Sequence, residues 1–300
     1  MICVPPRGLF MSRIGYRLFA SFRTRLGRSI LAMHFTVAFA TLAGGVQFIL
    51  AVRPSTALQG GWVIAALFLA SGLWALLRSI PAHSISRDFT HPSFSITIRV
   101  GDLFTESASI VVGFTDVYDT SVSDSDVISP RSVQAQLLGR VYGDDVQSLD
   151  TDLRAALRDQ PILQTEDEIA KPRGKRERYP IGTVAVLTRE NRRIYCVAYS
   201  RMSNSLVAKS SVDDLWHSLG NLWSSVAMQG HLDHLAIPIL GSDLARVDNL
   251  NRESLLRMIL LSFVARSREG VVTRDLTVLI HHRNAQDVDM HELQAFLKSL

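Results

Sequence analysis

The first 87 residues contain no acidic side chain and no lysine; their nine charges are all arginine, and the first carboxylate is Asp88. Within that stretch, residues 29–52 and 54–77 carry no charge at all, and single arginines (Arg28, Arg53, Arg78) flank them. Cysteine is nearly missing: only Cys3 and Cys196 occur, which excludes a disulfide framework and suits a reducing compartment. Also missing are a GxSxG nucleophile elbow, a phosphate loop ending in Gly-Lys-Ser/Thr and a glycine-rich dinucleotide fingerprint after a strand. His231 and His234 lie three apart with no third ligand near, and His281 and His282 point to opposite faces of a strand, so no metal site is expected.

What is present begins with the two uncharged runs. Each is apolar over a length that can cross a hydrocarbon layer of ~30 Å as a helix, with spans expected at about 30–51 and 60–77. Six arginines precede the first span and two follow the second, whereas Arg53 alone lies between them. By the positive-inside bias this predicts a membrane hairpin with both termini cytoplasmic. The run is too long, and too closely followed by a second, for a cleaved secretory signal. Residues 1–28 are then a basic cytoplasmic segment, either lying on the anionic leaflet or only setting topology. Ala40/Gly44, Ala66/Ala70 and Gln47 offer sites for helix packing within the membrane.

Of the chain's 32 basic residues, nine belong to residues 1–87, so 88–300 carries 23 against 28 acidic, a net of about −5. That balance argues against nucleic acid as a partner. Residues 78–92, with two prolines, are expected to be a linker and 93–300 a second domain. SFSITIRV at 93–100 alternates like a half-buried strand, ASIVVGF at 108–114 reads as a central one, and further strands are expected at 182–188, 193–199, 234–240 and 275–282. Helices are expected near 131–141, 149–159, 211–229, 250–267 and 289–299. Ser211 caps the third of these, and Trp216 and Trp223 beside its apolar face suit core or interface. The KPRGKRERYP run at 171–180 reads as a solvated loop or a contact for phosphate or lipid headgroups. Strands alternating with helices give an α/β fold, a mixed sheet with helices on both faces, after a two-helix transmembrane hairpin.

Two strand ends carry chemistry. In RVGDLF, Asp102 directly follows an alternating strand, where a fixed carboxylate either accepts from an exocyclic amine or merely closes a turn. In AIPILGSDLAR, a buried strand runs into a Gly/Ser turn whose small residues let backbone N–H groups approach an anion, with Arg246 available to neutralise it.

Residues about 93–282 resemble the macro domain of membrane-type effectors of Thoeris antiphage systems. The resemblance is carried by VGDLF, the YDT of Tyr118–Thr120, ISPRS at 128–132, YPIGTV at 179–184 and the D-L-W of 214–216, and the two spans match that family's layout. It implies a macro-domain-like fold and an ADP-ribose derivative as ligand, with no other cofactor. By the same resemblance Asp102 holds the adenine amine and Leu103 walls the base. Gly241, Ser242, Asp243, Leu244, Ala245 and Arg246 wrap the diphosphate, and Thr115, Asp116, Asp119 and Thr120 approach the distal ribose. Hydrolytic macro domains use an asparagine after the second strand; Val111 to Thr120 contains none, so a sensor without catalytic residues is implied rather than an enzyme. The family further implies a partner TIR protein that makes the nucleotide from NAD, homo-oligomerisation on binding, and damage to membrane lipid that kills the infected cell. A membrane-anchored ADP-ribosyl hydrolase and a passive ADP-ribose-binding scaffold are the alternatives.

Overall fold

The structure, a computed structural model, describes residues 25–53, 61–79, 84–122, 127–242, 247 and 250–300. The chain divides into two compact units, Met1–Ala82 with Asp289–Ala295, and His83–Val288 with Phe296–Leu300.

The first unit contains helices α1 (Arg25–Val52) and α2 (Gly61–Arg78). Both are long and apolar enough to cross a membrane, with spans of 26 and 18 residues of which the most apolar 18-residue stretches are only 6% and 17% buried. At about 1.5 Å per residue these spans are about 39 and 27 Å long, against a hydrocarbon core of ~30 Å. A core helix of a water-soluble domain would bury most of such a surface. The hydroxyls of Thr36 and Thr41 donate back to the carbonyls of Ala32 and Val37 at 2.9 and 2.8 Å, which satisfies them within an apolar environment. The two helices meet through aromatics: Phe68 lies 5.8 Å from Phe35 and 4.9 Å from Phe39 between ring centroids. Ala40, Gly44, Gln47, Ala66 and Ala70 stay exposed, whereas Ala38 of α1 and Val63, Ser71 and Ala75 of α2 are buried.

The second unit is built on one mixed sheet. Its strands are β1 (Ser84–Thr90), β2 (Ser93–Val100), β3 (Ser109–Thr115), β6 (Val184–Arg189), β7 (Arg192–Met202), β8 (Ala208–Lys209), β9 (Leu235–Pro238) and β10 (Asp275–Ile280), in the order β1-β2-β10-β9-β3-β7-β6 with β8 on β7. β4 (Gln164–Thr165) and β5 (Glu177–Arg178) form a separate two-stranded ribbon. The five inner strands β2, β10, β9, β3 and β7 are mutually parallel, and β1, β6 and β8 pair antiparallel at the edges. β3 reads SIVVGFT, continuous rather than alternating, because it is central and covered on both faces. Its Ile110, Val112 and Phe114 share one core with Leu137 and Leu138 of helix α3 (Val133–Val141) and Leu149, Leu153 and Leu157 of α4 (Val146–Leu157). Tyr195 faces the other side, where its hydroxyl lies beside the C-terminus of α5 (Val212–Gln229) at Gly230. There Trp223 of α5 stacks edge-on with Phe263 of α6 (Arg252–Glu269) at 5.2 Å, and its indole N–H donates to Ser262 at 2.9 Å. Trp223 is fully buried, whereas Trp216 on the same helix is half-exposed. The final helix, α7, spans Met290–Ser299.

The structure differs from the sequence reading in two segments. Residues 84–90, inside the stretch read as a linker, form edge strand β1, in register with β2 from Ser84↔Arg99 to Thr90↔Ser93. Arg87 on its inward face hides the alternation of Ile85 and Phe89; its guanidinium lies 4.6 Å over the Phe89 ring and donates to the Leu297 carbonyl. The basic run at 171–180, read as a solvated loop or a headgroup contact, is instead strapped down by ion pairs, with Lys171 fully buried.

The topology positions a site. From β9 the chain proceeds to β10 on one side, and from β3 to β7 on the other, so the winding reverses between the adjacent strands β9 and β3. In open α/β sheets ligands bind outside the carboxyl ends of strands at such a reversal.

Candidate functional site

Two cavities open at the carboxyl ends of the parallel strands. One, of about 320 Å³, is bounded by Gly113–Thr115 of β3, Tyr199–Met202 at the end of β7, the start of α3 and the turn Pro238–Ser242 after β9. The other, of about 690 Å³, is bounded by Gly101–Phe104 after β2, His281, Arg283 and Asn284 after β10, and Arg131 and Gln136 around α3. Ser129, Val133, Pro238, Ile239 and Ser242 line both, so the two form one groove across the strand ends. Their volumes are those of small-molecule sites.

At one end Asp102 caps a short 3₁₀ turn at Leu103–Thr105, its Oδ1 accepting from the Phe104 N–H at 3.0 Å. Its Oδ2 accepts from Arg140 of α3 at 2.6 Å, and that guanidinium lies 5.3 Å over the Phe104 ring. Burial opposes charge on Asp102, but the bonds from Arg140 and Phe104 outweigh it and hold the carboxyl below its ordinary value. The side chain is 32% exposed, so lone pairs remain for an amine. Buried Leu103 lines the same wall.

In the middle, Gly241 takes φ +77°, and a Cβ there would stand 2.8 Å from the Val247 side chain. Glycine is therefore demanded both by conformation and by space. Ser242 folds its hydroxyl back onto the Ile239 carbonyl at 3.0 Å. Facing this turn is the first turn of α3, capped by Ser132, whose hydroxyl accepts from Ala135 N–H at 3.0 Å. A helix N-terminus opposite a glycine turn makes a place for an anion. Asp243, Leu244, Ala245 and Arg246, the rest of the segment expected to wrap a diphosphate, lie outside the described residues.

At the far end Thr115, 6% exposed, lines the smaller cavity, and its hydroxyl is buried without a hydrogen-bond partner. The three other residues expected beside it line neither cavity. Asp116 is 94% buried and pairs with Arg178 at 2.7 Å, while its Oδ1 accepts from Met202 N–H at 2.7 Å. Arg178 also holds Glu166 and the Met202 carbonyl; burial opposes its charge, but the two carboxylates raise its pKa above the ordinary value. Asp119 is pushed up by burial despite accepting from Lys175 N–H, and Lys171, 3.7 Å away, is pushed down by the same burial. Thr120 donates to Asp150 of α4, which also pairs with Lys175 at 2.6 Å. These three side chains clamp the strap 171–178 instead of facing a ligand, because the basic run supplies buried cations that the acids must neutralise.

The start of α3 and the Tyr199–Met202 and Leu206–Ala208 segments were not expected at the site. ISPRS was visible as a landmark of the resemblance, but that its last serine caps α3 and that this cap lines the groove with the Gly241 turn is seen only in the structure. Among the described residues no group of three His, Cys, Asp or Glu side chains is placed to hold a metal ion.

Residues 96–281 match the family described as Thoeris protein ThsA, Macro domain. The chain belongs to this family. The match runs from within β2 to just past β10, so it contains the whole smaller cavity and all of the larger one except Arg283 and Asn284, and the two apolar helices lie before it. Similar solved structures include the macrodomain of Oceanobacillus iheyensis with ADP, at 13% identity and TM-score 0.47, covering 73% of this chain and 100% of that one. A mutant of that macrodomain with ADPR is 14% identical with TM-score 0.47, covering 72% and 100%. The same macrodomain with MES bound is 13% identical with TM-score 0.46, again covering 72% and 100%. No curated protein matches the sequence.

Proposed function

We propose that this ThsA-type protein is a membrane-anchored receptor whose macro domain binds an ADP-ribose derivative made from NAD by a TIR-domain partner. Adenine sits at Asp102 and Leu103, the diphosphate lies between the Gly241 turn and the start of α3, and the distal ribose with its substituent reaches Thr115. The observation that carries this reading is that Asp102 and Ser242, 140 positions apart in sequence, line one cavity at the strand ends. The order of chemistry along the groove matches the order of groups in such a nucleotide: an acceptor for an amine, small residues for an anion, and an unsatisfied hydroxyl for a sugar. Among the described residues the acids nearest Thr115 in sequence, Asp116 and Asp119, are tied into the strap rather than lining the cavity, which supports sensing over hydrolysis.

Binding then promotes self-association and disruption of the bilayer by α1 and α2, as an abortive response to infection. Moving such an equilibrium from about 1% to 99% active takes roughly 5.5 kcal/mol of preference for the assembled state. Titration calorimetry of the detergent-solubilised full chain with ADP-ribose tests the binding step. Saturable heat that Asp102→Ala weakens at least about tenfold is expected; absence of heat would remove the reading. Size analysis with saturating ligand tests the second step, for which a larger species is expected and an unchanged one would refute assembly.

A further inference from the structure

Met202, Leu206, Val207 and Ala208 line the smaller cavity together with Thr115. They belong to the connection from β7 to β8, whose tip closes on itself. There Ser203 N–H donates to the Val207 carbonyl and Leu206 N–H to the Ser203 carbonyl, both at 3.0 Å, with Leu206 at φ +63°. Asp116 and Arg178, whose side chains are 6% and 12% exposed, line neither cavity yet tie this connection to the body of the domain. Met202 gives its N–H to Asp116 Oδ1 at 2.7 Å, and its carbonyl accepts from Arg178 at 2.7 Å, so both its backbone polar groups end on side chains. The same guanidinium donates to Asp116 Oδ2 at 2.7 Å, to the Asn204 side-chain carbonyl at 2.8 Å and, through Nε, to Glu166. All three of its nitrogens are thus engaged, two of them with residues 202–204. Against apolar side chains of similar volume a buried ion pair adds little stability. What this one supplies is a planar fork that fixes a backbone in one place.

We infer that Asp116 and Arg178 are positioning residues for the distal end of the groove. They touch no ligand. By holding Met202 and Asn204 they fix the wall against which the distal ribose and its substituent pack, and so set the preference for an ADP-ribose derivative over ADP. This rests on the binding mode proposed above, in which the distal ribose reaches Thr115. The competing duty of the pair is to hold the strap alone, and a loss of that duty would weaken both nucleotides alike.

Full-length protein in detergent is titrated with ADP and with ADP-ribose, as wild type and as Arg178→Lys, Asp116→Asn and Asn204→Ala. Lysine keeps the charge but donates from one point instead of a fork. Asn204→Ala removes an exposed acceptor and leaves the buried pair whole, so the fold does not depend on it. Wild type is expected to favour ADP-ribose. Arg178→Lys and Asp116→Asn are expected to lose about tenfold in affinity for ADP-ribose and Asn204→Ala about threefold, with ADP held within about twofold throughout. In Arg178→Lys without ligand, hydrogen exchange is expected to quicken at 202–208 and to stay unchanged at 239–242. Equal losses for both nucleotides, or an unchanged ratio in all three variants, would overturn the inference and leave the binding mode standing. Wild type that binds both nucleotides equally, or unchanged exchange at 202–208, overturns it too. Wild type that binds neither refutes the binding mode as well.

Discussion

Asp102 is held by two donors and keeps open lone pairs, so its role is to stay ionised and accept. A folded-state pKa below the ordinary carboxylate value means that its contribution is present above that value and is lost only as pH falls through the lowered one. Affinity for ADP-ribose is therefore expected to be flat from pH 7 to about pH 5, near the lower end of which an unperturbed carboxyl begins to titrate; a loss of affinity centred near pH 6 would assign the acceptor role elsewhere. Gly241→Ala forces a Cβ into a left-handed conformation and onto Val247. It is expected to cost about 1–2 kcal/mol in stability and to weaken binding together with melting temperature, both measurable on one preparation. Asp102 and Gly241 can be singled out in the sequence because a strand end and a turn constrain residue type directly, and both line the groove; their contacts with a ligand belong to the proposal. Asp116, Asp119 and Thr120 misled because acids and hydroxyls after a strand look alike whether they face a ligand or a buried lysine.

The least legible element is the strap between β4 and β5. A run of Lys and Arg broken by Gly and Pro has the composition of a solvated loop, and only long-range pairing with Asp116, Asp119 and Asp150 buries it. Strand β1 escaped for a related reason, an inward arginine in a short edge strand. By contrast β2, β3, α5 and α6 were visible, since local period and caps suffice for elements whose apolar faces are uninterrupted. Arg178 is 12% exposed and serves two carboxylates, so Arg178→Ala leaves Asp116 and Glu166 uncompensated. About 3–5 kcal/mol of destabilisation is expected for a buried pair broken on one side. Limited proteolysis should then cut within residues 161–178 first; unchanged stability would show that the strap is held by packing alone. Trp223→Ala, which empties a fully buried site and removes the bond to Ser262, is expected to cost about 3–5 kcal/mol by denaturant titration.

For the whole molecule, the charge divides into an arginine-only end with two helices long and apolar enough to cross a membrane and a net acidic remainder. The full chain is expected to resist extraction from membranes by high salt and carbonate and to need detergent; release by salt alone would contradict two spanning helices. Sequence spacing could not show that segments at 101–104, 239–242 and 281–284 form one wall, because that follows from the strand order β2-β10-β9 and not from proximity in the chain.

Hydrogen exchange of the full chain with and without ADP-ribose tests the shared groove most directly. Simultaneous protection of 101–104, 239–242 and the first turn of α3 is expected on adding the nucleotide. Protection limited to one of these segments, or found only elsewhere on the fold, would contradict a ligand spanning the strand ends.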